Sequence, residues 1–280
     1  MDKITSITQL RELINYVRNL HQGYVTNFYL DETKHATWIE TGEFLYDKYE
    51  DTVSLLFDHY SPDNKKYFTN LFYISTSIES VIKNLKIYPE MFIYDLYILD
   101  IVGKEAMCEP MVNALKAIHA HHDATLVRMN RISEDKELLV IRGYQDKRVV
   151  YADETDAKLI EELLHANFDE KLEQLPLHKE ITQMIAEKHI LKCVVDGKMA
   201  GLLLFELNAT TLYLRYWLTL PEFRNQGIGG ALLKRFFYEG RNTKRQILWV
   251  MQNNANAIAR YEHYGFVKEN MYDYILSYCG

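Results

Sequence analysis

Hydrophobic residues recur along the second half of the chain with two alternating periods, and each change of period marks an element boundary. RVVYAD, residues 148–153, reads as a short strand. DETDAKLIEELLHANF then places Leu159, Ile160, Leu163, Leu164 and Phe168 on one face of a helix. A second helical pattern follows Pro176 in LHKEITQMIAEKHI. LKCVV and KMAGLLLFEL read as strands on either side of Asp196 and Gly197, a dipeptide that enters positive φ easily and closes a tight hairpin. A further strand, TLYLRYWLTL, runs to Pro221. Beyond it the pattern gives a helix in ALLKRFFYE, a strand in QILWVMQ, a helix in NANAIARYEHY and a last pair of strands in GFVKENMYDYILSY.

The first half opens with a helical pattern, ITQLRELINYVRNL, followed by strand-like runs in YVTNFYL, GEFLYD, TVSLLFDHY and NLFYIST. Thr76 and Glu79 have capping-box spacing at the head of SIESVIKNLK, which predicts a helix there. The tail of this half reads as a strand FIYDLYILD, a loop, a helix MVNALKAIHAHH and a strand ATLVRMNR. The same order surrounds TLPEFRNQGIGGALLKRFF, residues 219–237, in the second half, so an internal structural repeat is expected. The polar segment 132–150 holds the boundary, close to 143–147, giving units 1–145 and 146–280.

Composition narrows the class. With 280 residues, 48% hydrophobic and 25% charged, only 12 glycines and 5 prolines, the chain has material for two cored units and is neither disordered nor low-complexity. A net charge of −7 disfavours a nucleic-acid binder and suits a cationic partner. Cys108, Cys193 and Cys279 are far apart and read as structural thiols without metal spacing. No apolar run approaches a bilayer span and the N-terminus has no signal-peptide character, so a reducing, cytoplasmic protein without membrane contact is expected, as a monomer or homodimer.

The chemistry concentrates where three glycines crowd the start of a helix. Backbone N–H groups there have no intrahelical partner and the helix dipole adds positive charge, so the spot attracts phosphate. Gly227, Gly229 and Gly230 clear side chains from the approach, while Arg224, Asn225 and Gln226 add polar donors. The alternative is a strand-to-helix turn with small residues for packing. A P-loop is excluded because no Gly-Lys-Ser/Thr ending follows. A dinucleotide fingerprint fails because Leu232 stands where its third glycine belongs and the next strand ends in Gln252 without an acidic residue.

The run LTLPEFRNQGIGGALL, followed by ILWVMQNNANAIARYEHYGF, resembles the GNAT N-acetyltransferase superfamily, whose acyl-CoA loop has the form [RQ]xxGx[GA] and whose later element has the form NxxAxxxYxxxGF. The resemblance covers residues 148–280. It implies an α/β (α+β) fold with a mixed, mostly antiparallel sheet flanked by helices, here as a tandem of a degenerate N-terminal lobe and an intact C-terminal domain. It further implies acetyl-CoA as cofactor, with the pyrophosphate held by the N–H groups of 225–230, Ile228 included. Trp217, Leu218 and Thr219 would pair with the pantetheine arm, Asn254 would contact the cofactor, and Tyr261 would lie near its sulfur.

Acyl transfer to an amine needs a donor for the carbonyl oxygen and a proton for the departing thiolate. Tyr261, a phenol of pKa about 10, is the expected acid. An alkyl ammonium acceptor also needs a base, and the two strands beside the loop contain no glutamate, so Glu206 at the end of KMAGLLLFE is the nearest candidate. Tyr213, Arg215 or Tyr216 would border the acceptor, a small-molecule or peptide amine. A non-catalytic acetyl-CoA sensor, or an acyltransferase using another acyl or aminoacyl donor, remains open. In the N-terminal lobe the loop ILDIVGKEAMCEPMVNALK has one glycine and sets Glu109 and Pro110 against the phosphate position, so no cofactor is expected there. His119, His121 and His122 read as solvated residues near a helix end.

Overall fold

A computed structural model describes residues 1–21, 23–60, 66–87, 96–132 and 146–279. The chain divides into two compact units: Met1–Leu126 with Asn270–Gly280, and Val127–Glu269. The boundary expected at 145/146 lies at the edge of residues 133–145, outside the described residues.

In the first unit the strands β1 (Asp2–Lys3), β3 (Phe44–Tyr49), β4 (Thr52–Tyr60), β5 (Lys66–Ser75) and β6 (Leu96–Gly103) lie side by side. The 270–279 part of β13 (Val267–Cys279) pairs antiparallel with β6, and β2 (Val25–Thr26) pairs with β5. Among the described residues of this unit, only β5 and β6 run parallel, at Thr69 opposite Tyr97 and Asn70 opposite Ile98. A parallel step needs a crossover, and α3 (Ile78–Leu85) lies between those strands in the chain. Val81 and Leu85 of α3 share a core with Leu56, Leu71, Leu99 and with Met111 and Leu115 of α4 (Glu105–Ala117). The other helices among the described residues of this unit are α1 (Ile7–Leu20) and α2 (Glu32–Thr41).

In the second unit the order is β7 (His121–Ile132, through its 127–132 part), β12 (Arg245–Met251), β11 (Thr211–Thr219), β10 (Lys198–Asn208), β9 (Ile190–Val195) and β8 (Val149–Tyr151). Neighbours are antiparallel from β8 to β11, and β11 with β12 is parallel. Asp196 and Gly197 turn the β9–β10 hairpin at φ of 50° and 74°, as their sequence requires. α5 (Ala157–Asn167), the short α6 (Glu170–Glu173) and α7 (His178–Ala186) precede β9; α8 (Ile228–Glu239) and α9 (Ala255–His263) flank β12 in the chain. α8 buries Ile228, Leu232, Leu233, Phe236 and Phe237, and each such side chain stabilises by about 1.5–3 kcal/mol relative to exposure.

Both units therefore follow one plan: three antiparallel strands, a helix, a parallel strand, a second helix. The repeat expected from the sequence is present, shifted by one element. β5–α3–β6 is the counterpart of β11–α8–β12, because α3, not α4, connects the parallel pair. The segment that matches the glycine loop in position is thus the start of α3, and Glu109 and Pro110 lie inside α4.

Other local expectations are corrected as well. Ser77, one residue past Thr76, caps α3 by accepting from Ser80 N at 3.1 Å. Thr76 instead donates its hydroxyl to Asp51. α4 begins at Glu105, ahead of Met111, and has ended before His121 and His122, which already lie on β7. YVTNFYL contributes only the two-residue β2. The last "pair" of strands is one strand of 13 residues, β13. Elements not foreseen include β1, α6 and α2; the α2 segment ETKHATWIET has too few apolar residues to announce itself but is capped by Asp31 and buries Trp38.

Candidate active site

The site is organised by β11. Burial alternates strictly along it, from Leu212 to Leu218, yet the strand changes face midway. On β10, Leu204 stands opposite Tyr216 and Phe205 opposite Leu214, so Arg215 is an extra, bulged residue. Before the bulge, Leu212 packs at Gly240 beyond the end of α8. After it, Trp217 and Thr219 approach Gly229 of α8, whereas Tyr216 and Leu218 join the core formed with Ile160 and Leu164 of α5 and Ile181 and Ile185 of α7. One inserted residue thereby aims neighbouring aromatic side chains to opposite sides of the sheet.

The parallel ladder of β11 with β12 runs from Thr211 opposite Arg245 to Leu214 opposite Leu248 and stops. β11 continues to Thr219 and β12 to Met251 without pairing with each other. Beyond Leu214 the edge of β11 that would face β12 has no ladder partner in β12, and the backbone groups it presents require partners of their own.

Next to this opening the chain enters α8. Asn225 and Gly227 both take left-handed backbone, at φ of 63° and 75°, and alternation of this kind turns successive N–H groups toward one concavity. Gly227 is the N-cap of α8 and no side chain caps the helix, so its first N–H groups are not satisfied by the protein's own side chains. Residues 224–227 are exposed. The other two glycines make room for the protein itself. A Cβ on Gly229 would stand 3.1 Å from Trp217 Cζ2 and 3.2 Å from Thr219 Oγ1, and one on Gly230 3.1 Å from the Tyr264 hydroxyl. The packing reason for this glycine cluster thus falls on Gly229 and Gly230, and not on Gly227, where a Cβ would meet nothing within 4 Å.

An aromatic group closes the far side. Tyr261 of α9 lies 5.7 Å from Trp217 and 6.0 Å from Phe266, ring centre to ring centre, and Tyr264 lies edge-on to Trp217 at 6.2 Å. The indole Nε1 of Trp217 is buried without a hydrogen-bond partner among the described residues, a donor awaiting an acceptor. Burial, reinforced by the nearby charge of Glu173 and opposed by Arg260, pushes the Tyr261 phenol up to about 12. Asn254 is the N-cap of α9; its side-chain oxygen accepts from Ala257 N at 3.1 Å.

Glu206 is paired with the guanidinium of Arg215, which also lies over the rings of Tyr213 and Tyr216 at 5.4 and 5.6 Å. A carboxylate not singled out from the sequence stands elsewhere. Glu173 ends α6; its backbone carbonyl, with that of Gln174, accepts the Tyr216 hydroxyl at 2.7 and 3.0 Å. Burial, then the charge of Asp169, raises its carboxyl to about 7. The available signal was a short acidic segment, DEKLEQ, held between the core residues Phe168 and Leu175.

An uncapped helix start thus stands beside two parallel strands that part company. Residues 157–266 match the model of the Acetyltransferase (GNAT) family, so the second half of this chain carries a domain of that family. No curated protein sequence matches the chain. Among solved structures, a tandem GNAT protein from the clavulanic acid biosynthesis pathway, without AcCoA, is similar over 98% of this chain and 94% of its own, at 10% identity and a TM-score of 0.56. A GCN5-related N-acetyltransferase from Sphaerobacter thermophilus is similar over 81% and 80%, at 12% identity and 0.56. An acetyltransferase of the GNAT family from Colwellia psychrerythraea matches over 100% and 99%, at 13% and 0.51. At these identities the likeness is one of fold: a mixed α/β, mostly antiparallel open sheet flanked by helices, in tandem. Among the described residues, no helix is long and apolar enough to cross a membrane.

Proposed function

We propose that the second unit is an acetyl-CoA-dependent N-acetyltransferase that passes the acetyl group directly to an amine. The observation that carries this reading is the coincidence, at one point, of the uncapped start of α8 with the end of β11–β12 pairing. A helix start without its own cap favours phosphate, and an unpaired strand edge favours an extended chain bearing amide groups. A CoA thioester has both parts, and the orphaned Trp217 Nε1 faces the need for a buried acceptor.

In this reading the N–H groups of 225–230 hold the pyrophosphate, with Arg224 and Gln226 at its exposed side. The free edge of Trp217, Leu218 and Thr219 holds the pantetheine arm, and the exposed amide end of Asn254 borders it. The bound thioester supplies an activated acetyl group. A backbone N–H at the end of β11 stabilises the negative charge that grows on the carbonyl oxygen. Tyr261, uncharged at neutral pH, gives its Oη proton to the departing sulfur. Aromatic packing around Tyr261 excludes water from that transfer.

The test is a thermal-shift titration with acetyl-CoA, followed by CoA thiol release with a panel of polyamines, aminoglycosides, amino acids and peptides. A concentration-dependent rise in Tm and thiol release with at least one amine are expected. A rise in Tm with no turnover across the panel would instead leave a protein that senses acetyl-CoA. No rise at all would remove the cofactor assignment.

A further inference from the structure

The opening past Leu214 and Leu248 has a counterpart in the first unit. β5 and β6 pair in parallel at Thr69 opposite Tyr97 and Asn70 opposite Ile98, and beyond these pairs β5 runs on to Ser75 and β6 to Gly103. The edge that β5 turns toward β6 would again need partners. Here the chain provides them. Asn27 accepts from Tyr73 N–H at 2.7 Å through its side-chain oxygen and donates its Nδ2 to the Leu71 carbonyl at 3.1 Å. The Thr26 hydroxyl donates to the Tyr73 carbonyl at 2.6 Å, and β2 pairs with the end of the strand, Thr26 opposite Ile74 and Val25 opposite Ser75.

We infer that residues 25–28 are an intramolecular occupant of this opening, with the Asn27 carboxamide standing where the second unit leaves room for an amide of the cofactor arm. The occupancy stands on the bonds above; that it replaces a cofactor arm rests on the transferase reading. A carboxamide carries the donor and the acceptor of a peptide group in one plane, so it pairs with a strand edge as an added strand does. Its anchors make it a fixture and not a lid. The Thr26 hydroxyl accepts from Phe28 N at 3.0 Å, closing the bend between them. Phe28 is buried, its ring edge-on to Phe72 at 5.6 Å and tilted on His35 at 4.7 Å. Asp31 then donates its N–H to His35 Nδ1 at 3.1 Å and caps α2.

One connection, placed differently, separates two units of the same plan. α1 and α2 stand to β1 and β3 as α5 and α7 stand to β8 and β9, so the segments 23–31 and 168–177 correspond. In the second unit this connection rests on a side chain of β11: Phe168 lies edge-on to the Tyr216 ring, whose hydroxyl donates to the carbonyls of Glu173 and Gln174. In the first it reaches the main chain of the corresponding strand, β5. The start of α3 is met in the same way by the Asp51 carboxylate, which accepts from Ser80 Oγ at 2.9 Å. Strand edge and helix start are both taken by the chain's own groups, and the first unit is complete without a ligand.

The experiment is amide hydrogen exchange, read residue by residue on the whole protein. In the wild type the Tyr73 amide should be protected before any ligand is added. Saturating acetyl-CoA should slow exchange in 217–219 and leave 71–75 within about twofold. Asn27→Ala removes the acceptor and should speed exchange at Tyr73 by about tenfold or more. Phe72 and Ile74, whose amides lie on the β4 side of the strand, should change little. Asn27→Asp keeps an acceptor for the Tyr73 N–H and should keep most of the protection. An unprotected Tyr73 amide in the wild type, or protection that survives Asn27→Ala in full, overturns the occupant. So does protection of 71–75 gained with acetyl-CoA, because the cofactor would then be entering the first unit. Acetyl-CoA that protects neither 71–75 nor 217–219 overturns the transferase reading, and with it the comparison to a cofactor arm, while the Asn27 variants still decide the occupancy.

Discussion

The Tyr216 hydroxyl donates to the main-chain carbonyl of Glu173 at 2.7 Å, fastening the four-residue helix α6 to the middle of β11. Phe168 packs edge-on against the same ring at 5.1 Å. Tyr216→Phe keeps that packing and removes the bond, which should cost about 1–2 kcal/mol of stability. Urea unfolding of the two proteins checks it, and a variant as stable as the wild type would show that the bond contributes nothing net.

Tyr261→Phe removes a proton and almost no packing. It should lower kcat by about 10²–10⁴-fold with acetyl-CoA affinity within a few-fold, measured by single turnover and titration. Since burial and Glu173 hold the phenol near 12, it stays protonated through neutral pH. No alkaline loss of activity below about pH 10 should therefore be assignable to it. Wild-type turnover in the variant would make Tyr261 a packing residue.

Gly229→Val should abolish the acetyl-CoA thermal shift, by displacing Trp217 and Thr219 from the edge proposed to hold the cofactor. Its Cβ meets the indole at 3.1 Å before it meets any ligand. Overpacking of this kind costs about 1–3 kcal/mol, and the altered indole environment should appear in Trp fluorescence. A folded variant with an intact shift would place the cofactor elsewhere.

Titration calorimetry should return one acetyl-CoA per chain. In the first unit the position equivalent to the glycine loop is occupied by the protein's own groups. Ser77 caps α3, and the Asp51 carboxylate accepts from Thr76 and, at 2.9 Å, from Ser80. A resident carboxylate stands where a phosphate would need to approach, and like charges repel at short range. Two sites per chain, or a stoichiometry that falls to zero when Gly229 is intact but Asp51 is replaced, would overturn this.

Much of the second unit was legible because its elements are short and cleanly periodic. Asp196-Gly197 announced a turn, and Arg224 to Gly230 with Asn254 and Tyr261 announced a family. What escaped depends on tertiary pairing. Lys268, Glu269 and Asn270 look like a turn, but Glu269 accepts from Arg128 and from Arg245 at 2.6 Å, so polar residues continue the strand. The register of the repeat hinges on which strands run parallel, and no local pattern states that. The bulge at Arg215 reverses a face without disturbing the alternation that a reader counts. The main chain of Glu173 is held by a hydroxyl 43 residues away.

Residues 270–279 complete the sheet of the first unit, from Tyr272 opposite Gly103 to Cys279 opposite Leu96. On the ribosome these residues emerge only after the entire second unit. A nascent chain that has finished its first half still presents β6 with one side bare, an edge open to misplaced strands. The sheet of the first unit therefore closes only after the whole second unit has been made, and a chain cut short before residue 270 keeps β6 as an exposed edge.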